Sequence, residues 1–226
     1  MKHYSIAIDG PSGAGKSTLA RMLARELRFI YVDTGAMYRA VGLYVARAGI
    51  ASQDRPAVIA CLPGIDIALR YEDGVQQIFL NGENVSAAIR TEEASRYASD
   101  VSAIPEVRAF LLDRQRGMAQ GANVIMDGRD IGTVVLPKAD VKIFLTATSE
   151  ERAQRRYDEL MEKGQSVVYN EVLAHLLDRD KNDSSRETAP LCAAADAVVL
   201  DTTGNTLEQS LDLIRHTVRE RIGYVV

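Results

Sequence analysis

The chain has 226 residues, 46% of them hydrophobic and 26% charged, with a formal net charge of −4. That length suits one substantial α/β domain carrying an insertion, the composition excludes wholesale disorder, and the acidic balance speaks against a protein whose whole surface grips nucleic acid. Cys61 and Cys192 are too few for a disulfide framework and show no zinc-ligand spacing, and there is neither a leader pattern nor a run of about 18 apolar residues; a soluble, cytoplasmic chain with reduced thiols and no membrane partner is expected.

Taken in chain order, apolar runs at residues 4–9, 29–32, 123–127, 141–146 and 197–201 read as buried parallel strands. After the first run come glycines, and then Leu19, Met22, Leu23 and Leu27 fall at helix spacing, so the first crossover is an amphipathic helix. Strand, glycine loop, helix and strand begin a βαβ unit. Continued alternation predicts a three-layer α/β fold, a five-stranded parallel sheet covered on both faces, with ligands at the carboxyl ends of its strands. Residues 65–89 break the pattern: Ile65, Ile67, Leu69 and Tyr71 alternate, Asp73-Gly74 turns, residues 75–80 return, and Asn81-Gly82 turns again. This predicts a small antiparallel meander inserted into the α/β core.

The glycine loop carries the most specific chemistry. Gly10, Pro11, Ser12, Gly13, Ala14, Gly15, Lys16 and Ser17, with Thr18 following, match GxxxxGK[ST] after a strand and at the opening of a helix. Backbone amides of such a loop turn inward around phosphate oxygens, and the helix N-terminus adds partial positive charge. Lys16 is expected to bridge the β- and γ-phosphates and Ser17 to offer a hydroxyl to magnesium. Asp127, ending an apolar strand, is the expected magnesium-associated acid, acting directly or through water; an alternative is a strand-end turn aspartate. The loop alone does not choose among GTPases, motors, transporters and small-molecule kinases. A guanine-reading NKxD is missing, since DKND at residues 180–183 has the letters in the wrong order, and there is no LSGGQ-like signature.

Arginines are the second signal. Asp33, Thr34 and Arg39 follow the second strand, while Asp127, Arg129 and Asp130 lie at the end of the third. Arg152, Arg155 and Arg156 stand at i, i+3 and i+4, and Arg179, Asp183 and Arg186 at i, i+4 and i+7, so each set predicts a stripe on one helix face. A solvated, salt-bridged face would give the same stripes. Converging arginines are also what phosphoryl transfer between two anions demands, because its transition state spreads negative charge over the equatorial oxygens. A phosphate acceptor needs no histidine base, and His3, His175 and His216 sit in no motif. Water must be kept from the phosphates, which an arginine-bearing helical lid beginning near Ser149 would do.

In order and spacing, IDGPSGAGKST, VDTGAMYR, MDGRDIGTVVLPKADVKIFL, SEERAQRR and DRDKNDSSRETAPL resemble the bacterial-type cytidylate kinases, nucleoside monophosphate kinases that move the γ-phosphate of ATP to CMP or dCMP. The resemblance runs from Ile6 to the last helix. It implies a core of about residues 1–35, 120–150 and 187–226, a monophosphate-binding region of about 36–119 that contains the meander, and a lid of about 150–186. It further implies that Arg39, Arg129 and Arg186 contact the CMP phosphate, with Thr34 nearby where the family often has serine. Ser99, Arg108 and Asp130 would read cytosine, Arg179 and Asp183 would hold the sugar, and Arg152 and Arg156 would act from the lid. ATP, CMP or dCMP and Mg²⁺ are the implied small molecules, and a monomer the implied state. Asp130 can accept a hydrogen bond from the exocyclic amine of cytosine, whereas the carbonyl of uracil would set two acceptors face to face. Two other readings stay open: a P-loop kinase for UMP, another monophosphate or shikimate, and a nucleotide-dependent switch, which has no need of an arginine-rich acceptor site.

Overall fold

The structure is a computed structural model that describes residues 2–72 and 75–223. In chain order its elements are β1 (Ser5–Asp9), α1 (Lys16–Leu27), β2 (Ile30–Asp33), α2 (Thr34–Arg47), α3 (Arg55–Cys61), β3 (Ile67–Glu72), β4 (Val75–Leu80), β5 (Glu83–Asn84), α4 (Glu92–Ser102), α5 (Pro105–Met118), β6 (Val124–Gly128), β7 (Val141–Thr146), α6 (Ser149–Glu162), α7 (Tyr169–Ser184), β8 (Val198–Asp201) and α8 (Leu207–Ile222). Five of the strands form one sheet in the order β2-β6-β1-β7-β8. Within it β1 runs parallel to β6 and β7, and β7 to β8. The five apolar runs expected from the sequence become these strands; β1, β6 and β7 are largely buried, as unbroken hydrophobicity requires, but the edge strand β8 is not, with Val199 57% exposed, because an edge strand has a neighbour on one side only.

By packing, the described residues divide into two compact units, one comprising the chain up to Tyr31 and from Gly121 onward, the other Val32–Gln120. The core of the first unit joins Ile6, Ile8, Ile125 and Ile143 of the sheet to Leu19, Leu23 and Leu27 of α1 and to Leu211, Ile214 and Val218 of α8. The ladder registers Ile6 with Ile125 and Ile8 with Asp127, so alternation puts Asp127 on the same face as α1. Ala7 registers with Lys142, which places Lys142 and Asp9 on the opposite face. That face meets a π-helical turn over Ile131–Val135, in which the Leu136 amide reaches back to the Ile131 carbonyl at 2.7 Å. Single π turns recur at functional sites.

The second unit holds the antiparallel sheet, in the order β3-β4-β5. The Asp73-Gly74 turn expected between its first strands lies outside the described residues. The Asn81-Gly82 turn has φ of 49° and 84°, the left-handed pair that a two-residue hairpin requires. Ile65 and Ile67 are buried as alternation predicts, but Tyr71 is 45% exposed. The β3 strand outruns the core formed by α2, α3, α4 and α5 and ends in solvent.

Candidate active site

Gly10 leaves the end of β1 so close to β7 that a Cβ there would lie 2.0 Å from the Leu145 carbonyl oxygen; its φ is 147°. Gly13, at φ 75°, would place a Cβ 2.9 Å from the Arg152 carbonyl. Both glycines are therefore steric requirements. Gly15 is the N-cap of α1 in the left-handed region and supplies no side-chain acceptor, and the first turn of α1 contains no acid. By contrast α2, α4, α6 and α8 are each capped by an Asp or Thr oxygen. An uncapped helix start behind an inward-turned loop offers its amides to an anion.

Lys16 is buried, and its Nζ donates to the Pro11 carbonyl at 2.6 Å. Burial first, then the nearby charge of Arg129, and further on that of Arg179, push its ammonium well below the usual lysine range, against the opposing pull of Asp127 and Asp9. Three cations from distant parts of the sequence thus bear on one point. A polyanion would relieve that repulsion. On the other side of the loop Ser17 Oγ donates to Asp127 Oδ2 at 2.7 Å, and Tyr31 donates its hydroxyl to Asp127 Oδ1 at 2.9 Å. Asp127 lies within β6 and is 4% exposed, so it is not a turn aspartate. A hydroxyl and a carboxylate are the hard oxygens that Mg²⁺ prefers. Among the described residues no group of three or more His, Cys, Asp or Glu is placed to hold a metal ion. The donor set therefore fits an ion that keeps waters and leans on phosphate oxygens.

The arginine stripes resolve differently. Arg129 Nε donates to Asp183 Oδ2 at 2.7 Å, and Arg186 pairs with Asp183 Oδ1. Because α7 ends at Ser184, Arg186 reaches Asp183 from the following turn and not from one helix face. The expected face of Arg152, Arg155 and Arg156 splits three ways. Arg152 is buried, donating to the carbonyls of Ala147 at 3.0 Å and Ser12 at 2.9 Å and pairing with Asp180 at 2.6 Å. It ties the glycine loop to α6 and α7. Arg155 bonds Glu151 and the Thr202 carbonyl, and Arg156 bonds Glu159. The three histidines are all exposed.

In the second unit, Asp33 caps α2 by accepting from the Ala36 amide at 2.9 Å and pairs with Arg39 at 2.9 Å. Burial works to raise the Asp33 carboxyl, but Arg39, Arg90 and the Ala36 amide outweigh it and hold it below the usual range. Thr34 opens α2 and is buried. Arg108 is buried on α5, donating to the Ser102 carbonyl at 3.3 Å with its guanidinium 5.6 Å from the Tyr38 ring centre. The Nε of Arg39 and the hydroxyl of Ser99 are buried and make no hydrogen bond among the described residues. Buried polar atoms are seldom left so.

Sequence reasoning missed Asp9, Tyr31 and Asp180 as parts of this arrangement. Asp9 ends β1, is 4% exposed, and accepts from the Ile131 and Gly132 amides, each at 2.7 Å. Its position directly before the glycine loop was the available signal, since an acid ending an otherwise apolar strand requires partners.

A glycine loop that opens an uncapped helix beside a buried lysine, with a serine and a strand aspartate joined next to it, defines a P-loop nucleotide-binding protein. The family model described as cytidylate kinase matches residues 6–220. Proteins named cytidylate kinase from Caldicellulosiruptor bescii and Caldicellulosiruptor saccharolyticus are 52% and 50% identical to the chain, covering 95% and 99% of it and the same shares of their own lengths. One from Geobacter sp. (strain M21) is 49% identical, over 96% of this chain and 94% of its own. The chain belongs to the cytidylate kinase family. A solved structure of an uncharacterized protein from Eubacterium ventriosum shares the fold at a TM-score of 0.54 and 11% identity, covering 97% of this chain and 100% of its own.

Proposed function

We propose that the chain does what its family is named for, transferring the γ-phosphate of ATP to CMP or dCMP to give ADP and CDP or dCDP. It is an ATP-dependent nucleoside monophosphate kinase. The observation that carries this reading is family membership over 6–220 together with the Lys16, Ser17 and Asp127 arrangement around the glycine loop. The loop amides and Lys16 hold the donor phosphates, and the positive charge gathered from Lys16, Arg129 and Arg179 meets charge that develops in transfer. Ser17 and Asp127 would hold Mg²⁺, which when bound neutralises phosphate charge. Arg39, Arg129 and Arg186 take the acceptor phosphate with Thr34 nearby, Ser99, Arg108 and Asp130 read the base, and Arg179 and Asp183 hold the sugar. Arg152 steadies the loop from α6, with Arg156 further along that helix. The enzyme works as a monomer in the cytoplasm. No helix among the described residues is long and apolar enough to cross a membrane.

ADP release from ATP and Mg²⁺, with CMP, dCMP, UMP, AMP, GMP, dTMP or shikimate offered in turn, tests the reading. CMP and dCMP should be clearly the best acceptors; a different best acceptor overturns it. Asp130→Ala should relax the preference for CMP over UMP more than it weakens ATP binding.

A further inference from the structure

Arg129 and Asp130 form a dipeptide between two fixed points, and both fixed points are the same residue. On one side Gly128, the last residue of β6, registers with Asp9 across the β1–β6 ladder. On the other, the two oxygens of the Asp9 carboxylate accept from the amides of Ile131 and Gly132, at 2.7 Å each. The π turn that follows closes on Asp130 itself, whose carbonyl accepts from Val134 at 2.9 Å and Val135 at 3.2 Å. The fit at Gly132 is tight. A Cβ there would lie 3.3 Å from Asp9 Oδ2 and 3.2 Å from Cδ of Lys142. The Lys142 ammonium is itself held by the Pro137 carbonyl at 2.7 Å and by Asp196 at 2.8 Å. A carboxylate suits this place because it alone among the small side chains offers two separate acceptor oxygens, one for each amide; asparagine would turn an NH₂ donor toward one of them.

We propose that Asp9 is a positioning residue for acceptor recognition: by clamping the amides of Ile131 and Gly132 it fixes where Arg129 and Asp130 stand. The same residue leads directly into Gly10, so one side chain holds the acceptor-reading dipeptide in register with the start of the donor loop. This rests on the kinase reading above, in which Arg129 and Asp130 serve the acceptor.

The test compares Asp9→Asn and Gly132→Ala with the wild type by steady-state kinetics, with folding checked by circular dichroism. KM for CMP should rise by about tenfold or more and the preference for CMP over UMP should fall by a similar factor, while KM for ATP moves by less than about threefold. Should Asp9→Asn fail to fold, Gly132→Ala, which crowds the clamp and keeps the carboxylate, gives the same readout. An unchanged CMP-to-UMP preference in folded variants, or an ATP defect as large as the CMP defect, overturns the proposal. A wild type whose best acceptor is neither CMP nor dCMP refutes the CMP and dCMP reading instead, and the same ratio taken with that best acceptor still decides whether Asp9 positions the dipeptide.

Discussion

Arg129 and Asp183, 54 residues apart, meet at 2.7 Å with the aspartate side chain 2% exposed. Arg186, its side chain 5% exposed, takes the other carboxylate oxygen. One buried carboxylate thus serves two guanidinium groups, and removing it takes the same anion from both. Breaking a buried pair from one side costs about 3–5 kcal/mol. Asp183→Ala should therefore lower the melting temperature by roughly 6 °C or more, at about 2 °C or more per kcal/mol for a chain of this size. Circular dichroism melts check it. Asp183→Asn, which keeps one acceptor oxygen, should fall between that variant and the wild type.

At Gly10 the limit is space. A Cβ 2.0 Å from a backbone oxygen of β7 cannot be absorbed by turning a side chain. Either the loop or the strand must move, and the loop has fewer restraints. Gly10→Ala should fold with a displaced loop and lose ATP affinity by about 100-fold or more, whereas Gly117→Ala, on α5 with ordinary helical backbone and nothing within 4 Å of its Cβ position, should leave ATP affinity unchanged. Titration of each variant with ATP by calorimetry distinguishes the two.

The sequence made the strands and the loop legible because their signals are local. An apolar run bounded by turn residues is a buried strand wherever it lies, and GxxxxGK[ST] needs only its two flanking elements. The arginine stripes were read less well because spacing on a helix says which residues share a face and not what they meet. Arg152 turned inward to the carbonyls of Ser12 and Ala147, which no local pattern encodes. The end of α7 at Ser184, two residues short of Arg186, was equally hidden. Asp9 was legible only as the end of the first apolar run; its partners lie 122 and 123 residues away, and only the ladder between β1 and β6 brings them together.

Asp33 gives a pH dependence of stability whose sign follows from its surroundings. Burial alone would raise its carboxyl, and Arg39, then Arg90 and the Ala36 amide, bring it below its ordinary 3.8. A carboxylate lowered on folding contributes stability that is present above 3.8 and lost as pH falls through its folded value. Arg39→Met removes the larger of the two cationic partners while keeping the length of the side chain. Asp33 should then rise, and acid unfolding followed by circular dichroism should move to higher pH than in the wild type. An unshifted acid transition would separate Arg39 from the stability of this helix start.

Asp9 titrates in the opposite sense. Burial, reinforced by Asp130, pushes its carboxyl up to about 6, against the amides of Gly132 and Ile131 and the charge of Lys16. A carboxyl raised on folding favours the folded state most below its unfolded value of 3.8, and that contribution is lost as pH rises through about 6. Holding the clamp ionised at neutral pH therefore costs about 3 kcal/mol, the free energy of moving a carboxyl from 3.8 to about 6. The wild type should gain stability relative to Asp9→Asn between pH 7 and pH 4, which paired urea titrations would measure. Function should run the other way. Above about 6 both oxygens are free to accept, while protonation turns one into a donor facing an amide. KM for CMP in the wild type should therefore rise as pH falls through about 6, more steeply than the phosphate of CMP imposes by itself. The Asp9→Asn profile supplies that phosphate contribution alone, and the difference between the two profiles belongs to the clamp; parallel profiles would mean that its ionisation does not reach the acceptor.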